Sequence, residues 1–199
     1  SLPDLICPAG SLPALKAAVD NGADAVYLGF RNDTNARNFA GLNFDPKSMA
    51  DGIRYAHGKG REILLAINTF PQAGRVVDWH SAVDAAVDLG ADAIILADVG
   101  LLDYASRKHP QQRLHLSVQG SATSYEAVNF CQREFGVRRA VLPRIGPRHQ
   151  VEQRMRVMFG HAVIGEPGDL PHRFGDELHR AMHDRVLHVV EVEGIEPHT

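Results

Sequence analysis

Cysteine is nearly absent from this chain. Its 199 residues hold two, Cys7 and Cys131. They are too far apart for a metal-type spacing and too few for a disulfide framework, so both read as reduced thiols. Long apolar runs are missing as well: none approaches the roughly 20 residues that a bilayer-crossing helix needs. No secretory leader is visible, and the chain reads as cytoplasmic, without a membrane span. Neither sign of charge dominates; at a net charge of −3, bulk electrostatics nominates no polyanion as partner. There is no Gly-x-Ser-x-Gly elbow, no His-Glu-x-x-His pair and no obvious pair of carboxylates, which removes the common hydrolytic signatures. No linker rich in Pro, Gly and Ser divides the chain. Length is short too, since a complete eight-fold βα barrel usually takes about 250 residues.

What is present is a repeated phrase. Leu89-Gly90-Ala91-Asp92-Ala93-Ile94-Ile95-Leu96-Ala97-Asp98 reads as a helix end closed by glycine, a short passage, and a strand buried on both faces. It occurs earlier as Asn21-Gly22-Ala23-Asp24-Ala25-Val26-Tyr27-Leu28-Gly29 and, worn, as Phe135-Gly136-Val137-Arg138-Arg139-Ala140-Val141-Leu142-Pro143. Repeated helix–glycine–strand units predict an α/β chain, a parallel TIM-like (β/α) barrel, truncated or closed by an atypical C-terminal segment.

Taken in order, strands are predicted over 5–7, 26–30, 62–67, 93–96, 114–118 and 139–142. Helices are predicted after Ser11, after Asp45, and over 76–89, 100–108 and 124–135, with a sixth starting near 149–156. Residues 1–157 form the barrel portion. Residues 158–199 form an atypical segment packed on it or completing it, with a possible strand at 162–164, helix at 176–184 and eighth strand at 186–192. Seven of the eleven histidines lie from His149 onward. His179 and His183 share a helix face with Asp176 and could hold zinc only with a further ligand. A solvated face is the ordinary reading, and no metal site is assigned.

In a parallel βα barrel, ligands meet the loops after the strands. That rule selects Cys7, Gly10, Arg31, Asn35, Arg37, Asn38, Asn68, Thr69, Asp98, Gln119, Ser121 and Arg144. Neutral amides with three arginines and one carboxylate suit a small anionic or oxygen-rich ligand. The expected substrate contacts are Asn35, Arg37, Asn38, Asn68, Asp98 and Gln119, with Arg144 as an anion clamp. No catalytic residue is assigned. Asp98 has a plain alternative as a partner for a loop N–H, Cys7 as a small buried hydrophobe, and the loop 31–44 as a solvated turn, although its two phenylalanines favour a folded one. His115, inside an apolar strand, reads as a satisfied core group.

Several phrases together resemble the collagenase-like peptidase family, peptidase family U32. They are Leu5-Ile6-Cys7-Pro8-Ala9-Gly10, Asn21-Gly22-Ala23-Asp24-Ala25-Val26-Tyr27, Ala66-Ile67-Asn68-Thr69, His115-Leu116-Ser117-Val118-Gln119 and Arg139-Ala140-Val141-Leu142-Pro143-Arg144. Thr34-Asn35-Ala36-Arg37-Asn38-Phe39-Ala40-Gly41-Leu42-Asn43-Phe44 looks closest to the UbiU branch. The likeness covers roughly residues 5–153. It implies a βα barrel and, for that branch, oxygen-independent hydroxylation of the ubiquinone ring with a UbiV-like protein partner. Relatives hydroxylate RNA bases or carry the peptidase label. The branch holds a four-iron four-sulfur cluster through four cysteines beyond the sixth strand. Here no cysteine follows Gln153, so no cofactor is expected in this chain and redox inactivity is expected of it alone. The first functional expectation is thus a UbiU-like protein of ubiquinone biosynthesis acting on a quinone precursor. A hydrolase using Cys7 or the histidine face is the alternative, and a non-enzymatic interaction module the second. A barrel without its closing portion exposes edges, so homo-oligomers are expected.

Overall fold

The computed structural model describes residues 4–122, 124–142 and 188–191. Ile6–Pro8 (β1), Ala25–Gly29 (β2), Glu62–Ile67 (β3), Ala93–Leu96 (β4), Arg113–Leu116 (β5) and Val137–Leu142 (β6) are six parallel strands, each paired with the next. Between them run Leu12–Asp20 (α1), Pro46–Gly58 (α2), Val76–Asp88 (α3), Val99–Lys108 (α4) and Tyr125–Phe135 (α5). The order β1 to β6 follows the chain, as in a half-barrel with helices outside.

The helices start where their caps stand. Ser11, Asp45, Asp98 and Ser124 each accept a hydrogen bond from the N–H three residues on, at 3.4, 2.9, 2.9 and 3.3 Å, which satisfies donors that the helix itself leaves open. The repeated glycines close the turns into the strands: Gly22, Gly90 and Gly136 have φ of +95°, +83° and +67°, a conformation that favours glycine.

The aspartate of the repeat has a structural task. Asp24 accepts the Leu5 N–H at 2.9 Å and Asp92 the Ile63 N–H at 2.7 Å. Each carboxylate therefore ties its own strand to the N-terminal end of the preceding one. Arg61 pairs with Asp24, and His57 with Asp92, at 2.8 Å each.

Strand alternation separates two faces. Val26, Leu28, Ile63, Leu65, Ile67, Ile94, Leu96, Leu114 and Leu116 point to the helices and pack with Leu15, Met49, Trp79, Leu101 and Val128 in the main core. A smaller cluster, Ala25, Leu64 and Ala93 with Ile6, Tyr27 and Ile95, lines the concave face. α1 and α2 approach so closely that a Cβ on Gly52 would come within 2.8 Å of Leu15 Cδ1. α3 and α4 are tied by Asp84, which accepts from Tyr104, Lys108 and His109.

Two expectations need correction here. The segment predicted as an eighth barrel strand contains His188–Glu191 (β7), but it runs antiparallel to β6. It covers that edge and does not continue the parallel series. The fifth strand stops at Leu116 and not at 118, because Ser117 Oγ accepts the Gln119 N–H at 3.2 Å and starts a 3₁₀ turn, Val118–Gly120. The possible helices and strand at 149–156, 162–164 and 176–184, and with them His179 and His183, lie outside the described residues.

Candidate functional site at the C-terminal ends of the strands

Because β1 to β6 are parallel, their C-terminal ends share one rim, and the loops following β2 to β5 carry Asn35, Asn68, Asp98 and Gln119 there. The loop 31–44 is folded. Phe44 is buried and pairs with Phe30 as an isolated bridge. Arg31 donates to the carbonyls of Leu42 and Asn43 at 3.2 and 2.9 Å. Asn43, buried, donates from Nδ2 to the Arg37 carbonyl at 2.7 Å and from its backbone to Gly10 at 2.7 Å.

Within this frame the predicted contacts divide. Asn35 is buried: its Nδ2 donates to the Phe30 carbonyl at 3.3 Å and its Oδ1 accepts the Arg37 N–H at 3.1 Å. It fills the space over Gly29, where any Cβ would lie 2.4 Å from that Nδ2. Asn68 accepts the Ala36 N–H at 2.9 Å, and Thr69 donates to the Asp33 carbonyl at 2.6 Å, so the two rim loops are bolted together. Asp98 accepts the Leu101 N–H as a helix cap. These side chains shape the rim.

Arg37, Asn38 and Gln119 face solvent. Arg37 Nη1 donates to the Tyr27 hydroxyl at 3.1 Å, and the guanidinium lies 6.0 Å from that ring's centroid. Neither the Asn38 nor the Gln119 side chain has a hydrogen bond among the described residues. Phe39 and Phe70, 61% and 56% exposed, give the rim an apolar lip, with Leu42 on the same loop as Phe39. Arg144 lies outside the described residues.

The sequence reading missed several side chains of the concave face: Tyr27, Arg113, His115 and Arg139. The signal was available, since each is a polar side chain at an inward-facing alternate position of a strand. His115 also needs correction. It is in the core, 3% exposed, as expected, but the hydrogen bond expected of its ring is not found among the described residues. Burial, with the Arg139 and Arg113 charges, pushes its pKa down to about 3.

The thiols do not fit the cluster that the branch implies. Cys7 sits on β1 facing the helices, Cys131 is buried on α5, and burial raises both thiol pKa values, for Cys7 with help from Asp24. Two thiols on separate elements fall short of the four a cluster usually takes. Among the described residues no group of three His, Cys, Asp or Glu could hold a metal ion, and no helix is long and apolar enough to cross a membrane.

Comparison with known proteins completes the picture. The profile of Peptidase family U32 matches residues 10–156. The tRNA hydroxylation protein P of Escherichia coli (strain K12) is 32% identical over 152 residues, covering 76% of this chain and 33% of that protein. A collagenase of Porphyromonas gingivalis (strain ATCC BAA-308 / W83) is 31% identical over 130 residues, 65% of this chain and 31% of the collagenase. Among solved structures, a U32 peptidase superposes with a TM-score of 0.64 at 15% identity, covering 79% of this chain and 66% of that one, a likeness of fold. The chain spans about a third of the length of the curated relatives it matches.

Proposed function

The chain belongs to peptidase family U32, and on that premise we propose that it provides the ring-binding rim of an oxygen-independent hydroxylation system whose acceptor is a ubiquinone precursor. The observation that carries the reading is the make-up of the rim. A guanidinium anchored on Tyr27 stands on the same loop as exposed Phe39, exposed Phe70 follows the next strand, and the Asn38 and Gln119 amides make no side-chain hydrogen bond among the described residues. Aromatic faces suit a substituted ring, and guanidinium and amide groups suit its oxygens. Arg37, Asn38 and Gln119, with Arg144, contact the ring. Asn35, Asn68 and Asp98 hold the loops that present them. The proposed partner is a UbiV-like protein in the cytoplasm, and the two thiols of this chain, Cys7 and Cys131, are not proposed as ligands of a cluster.

An RNA base as acceptor is the second reading, favoured by the name of the E. coli relative. The net charge of −3 weighs against it, since nucleic-acid binding draws on basic surface. The peptidase reading has the collagenase relative's name behind it. The candidate nucleophile among the described residues is poorly placed for it, however: Cys7 faces the helices, and burial raises its thiol pKa.

Deleting the gene in its host, growing cells without oxygen, and measuring quinones and digested tRNA by mass spectrometry tests the proposal. Accumulation of an under-hydroxylated quinone precursor with unchanged tRNA nucleosides is expected. Loss of a hydroxylated tRNA nucleoside with normal quinones would replace this reading by the second.

A further inference from the structure

Two polar groups on the inner face of the half-barrel, the His115 ring and Arg113 Nε, have no hydrogen-bond partner among the described residues. His115 is 3% exposed, and Arg113 Nε is buried. They stand two residues apart on β5, so both point to the concave face. Arg139 of β6 and Ile95 of β4 flank His115 in register. His115 is the penultimate residue of β5, just beneath the turn that carries Gln119.

Buried polar groups in folded proteins nearly always have a partner, and among the described residues Arg113 Nε is the one buried side-chain nitrogen or oxygen without one, with the unbonded His115 ring on the same face two residues on. The far end of Arg113 is fixed by Glu62 at 2.6 Å, and Arg139 reaches Asp4 at 3.3 Å. The carboxylates thus hold the guanidiniums from below and leave the imidazole in a positive local field. The site calls for an oxygen with electron density to share.

We infer that His115 and Arg113 are the floor of the ligand site, donating from the imidazole N–H and from Nε to an oxygen acceptor of a small molecule held at the rim. The acceptor is a ring carbonyl, a phenolic oxygen or a carboxylate. The inference rests on the ring-binding reading for where the ligand lies, and on no particular reaction.

The test is a titration of the whole chain, labelled at histidine Cε1, with phenol, benzoate and uracil in turn, followed by NMR. The His115 resonance is assigned by its loss in His115→Gln, or through the backbone if that variant does not fold. At least one probe is expected to move the His115 signal to saturation while His57 and His109, paired with Asp92 and Asp84, stay still. Arg113→Gln is expected to weaken that response by about tenfold. A response to benzoate alone identifies a carboxylate, and one to phenol or uracil a ring oxygen. A His115 signal unmoved by all three probes, or a response unchanged in Arg113→Gln, overturns the inference. An unmoved signal alongside defective quinone hydroxylation in the deletion strain overturns this site and leaves the proposed function standing. A saturable response with normal quinones does the reverse.

Discussion

Asn43 holds a left-handed backbone at φ +72° and uses it to pin the loop that carries Arg37. Asn tolerates that region because its short polar side chain can bond locally, whereas alanine does not. Asn43→Ala is expected to destabilise the fold by about 2–3 kcal/mol, combining the strain with a lost bond, and Asn43→Gly by about 1 kcal/mol, in urea unfolding. His115 gives a pH signature. Its folded pKa lies near 3, below its ordinary 6.5, so between those values the unfolded chain binds a proton that the native one refuses. Stability from this residue is complete above about pH 6.5 and declines as pH falls toward 3. His115→Gln is expected to flatten that part of the pH–stability curve. At this scale the sequence was only half legible. Asn35 and Asn38 are three residues apart and chemically alike, yet one is buried against Phe30 and Gly29 while the other faces solvent. Residue type says what a side chain can bond to. The direction it takes depends on how the loop closes, and Asn43 decides that.

The helix–glycine–strand unit works as a clamp between neighbouring strands. Asp92 bonds the first buried residue of β3 and Asp24 the residue before β1. Asp92→Ala leaves the Ile63 N–H without its partner and is expected to cost about 1–3 kcal/mol. Asp88→Ala, at an exposed position on α3, is expected to stay within about 0.5 kcal/mol; equal effects in thermal unfolding would refute the clamp. Elements were the most legible level. β3 and β4 were read to the residue, and the capped helices nearly so, because Ser11, Asp45 and Ser124 mark their starts chemically. β5 was overrun because Ser117 belongs to an apolar strand by pattern and to a turn by its hydroxyl.

At the scale of the molecule, the described residues form six βα-ordered strands with an antiparallel seventh on one edge. The order was legible, since each repeat places its strand beside the last. The direction of β7 was not, because local periodicity carries no information about pairing sense. Among the described residues β1 pairs only with β2, so it presents an edge that another chain can cover. Light scattering across a concentration series is expected to give a mass above the 21.8 kDa of one chain; a monomer throughout would mean that this edge is covered from within. The account as a whole depends on the ligand meeting the C-terminal ends of the strands. The most direct test is an amide NMR map of the chain with and without a phenolic quinone precursor. Shifts are expected in residues 31–44, 68–75 and 117–121. Shifts confined to the opposite ends, around Asp24, Arg61 and Asp92, would contradict it.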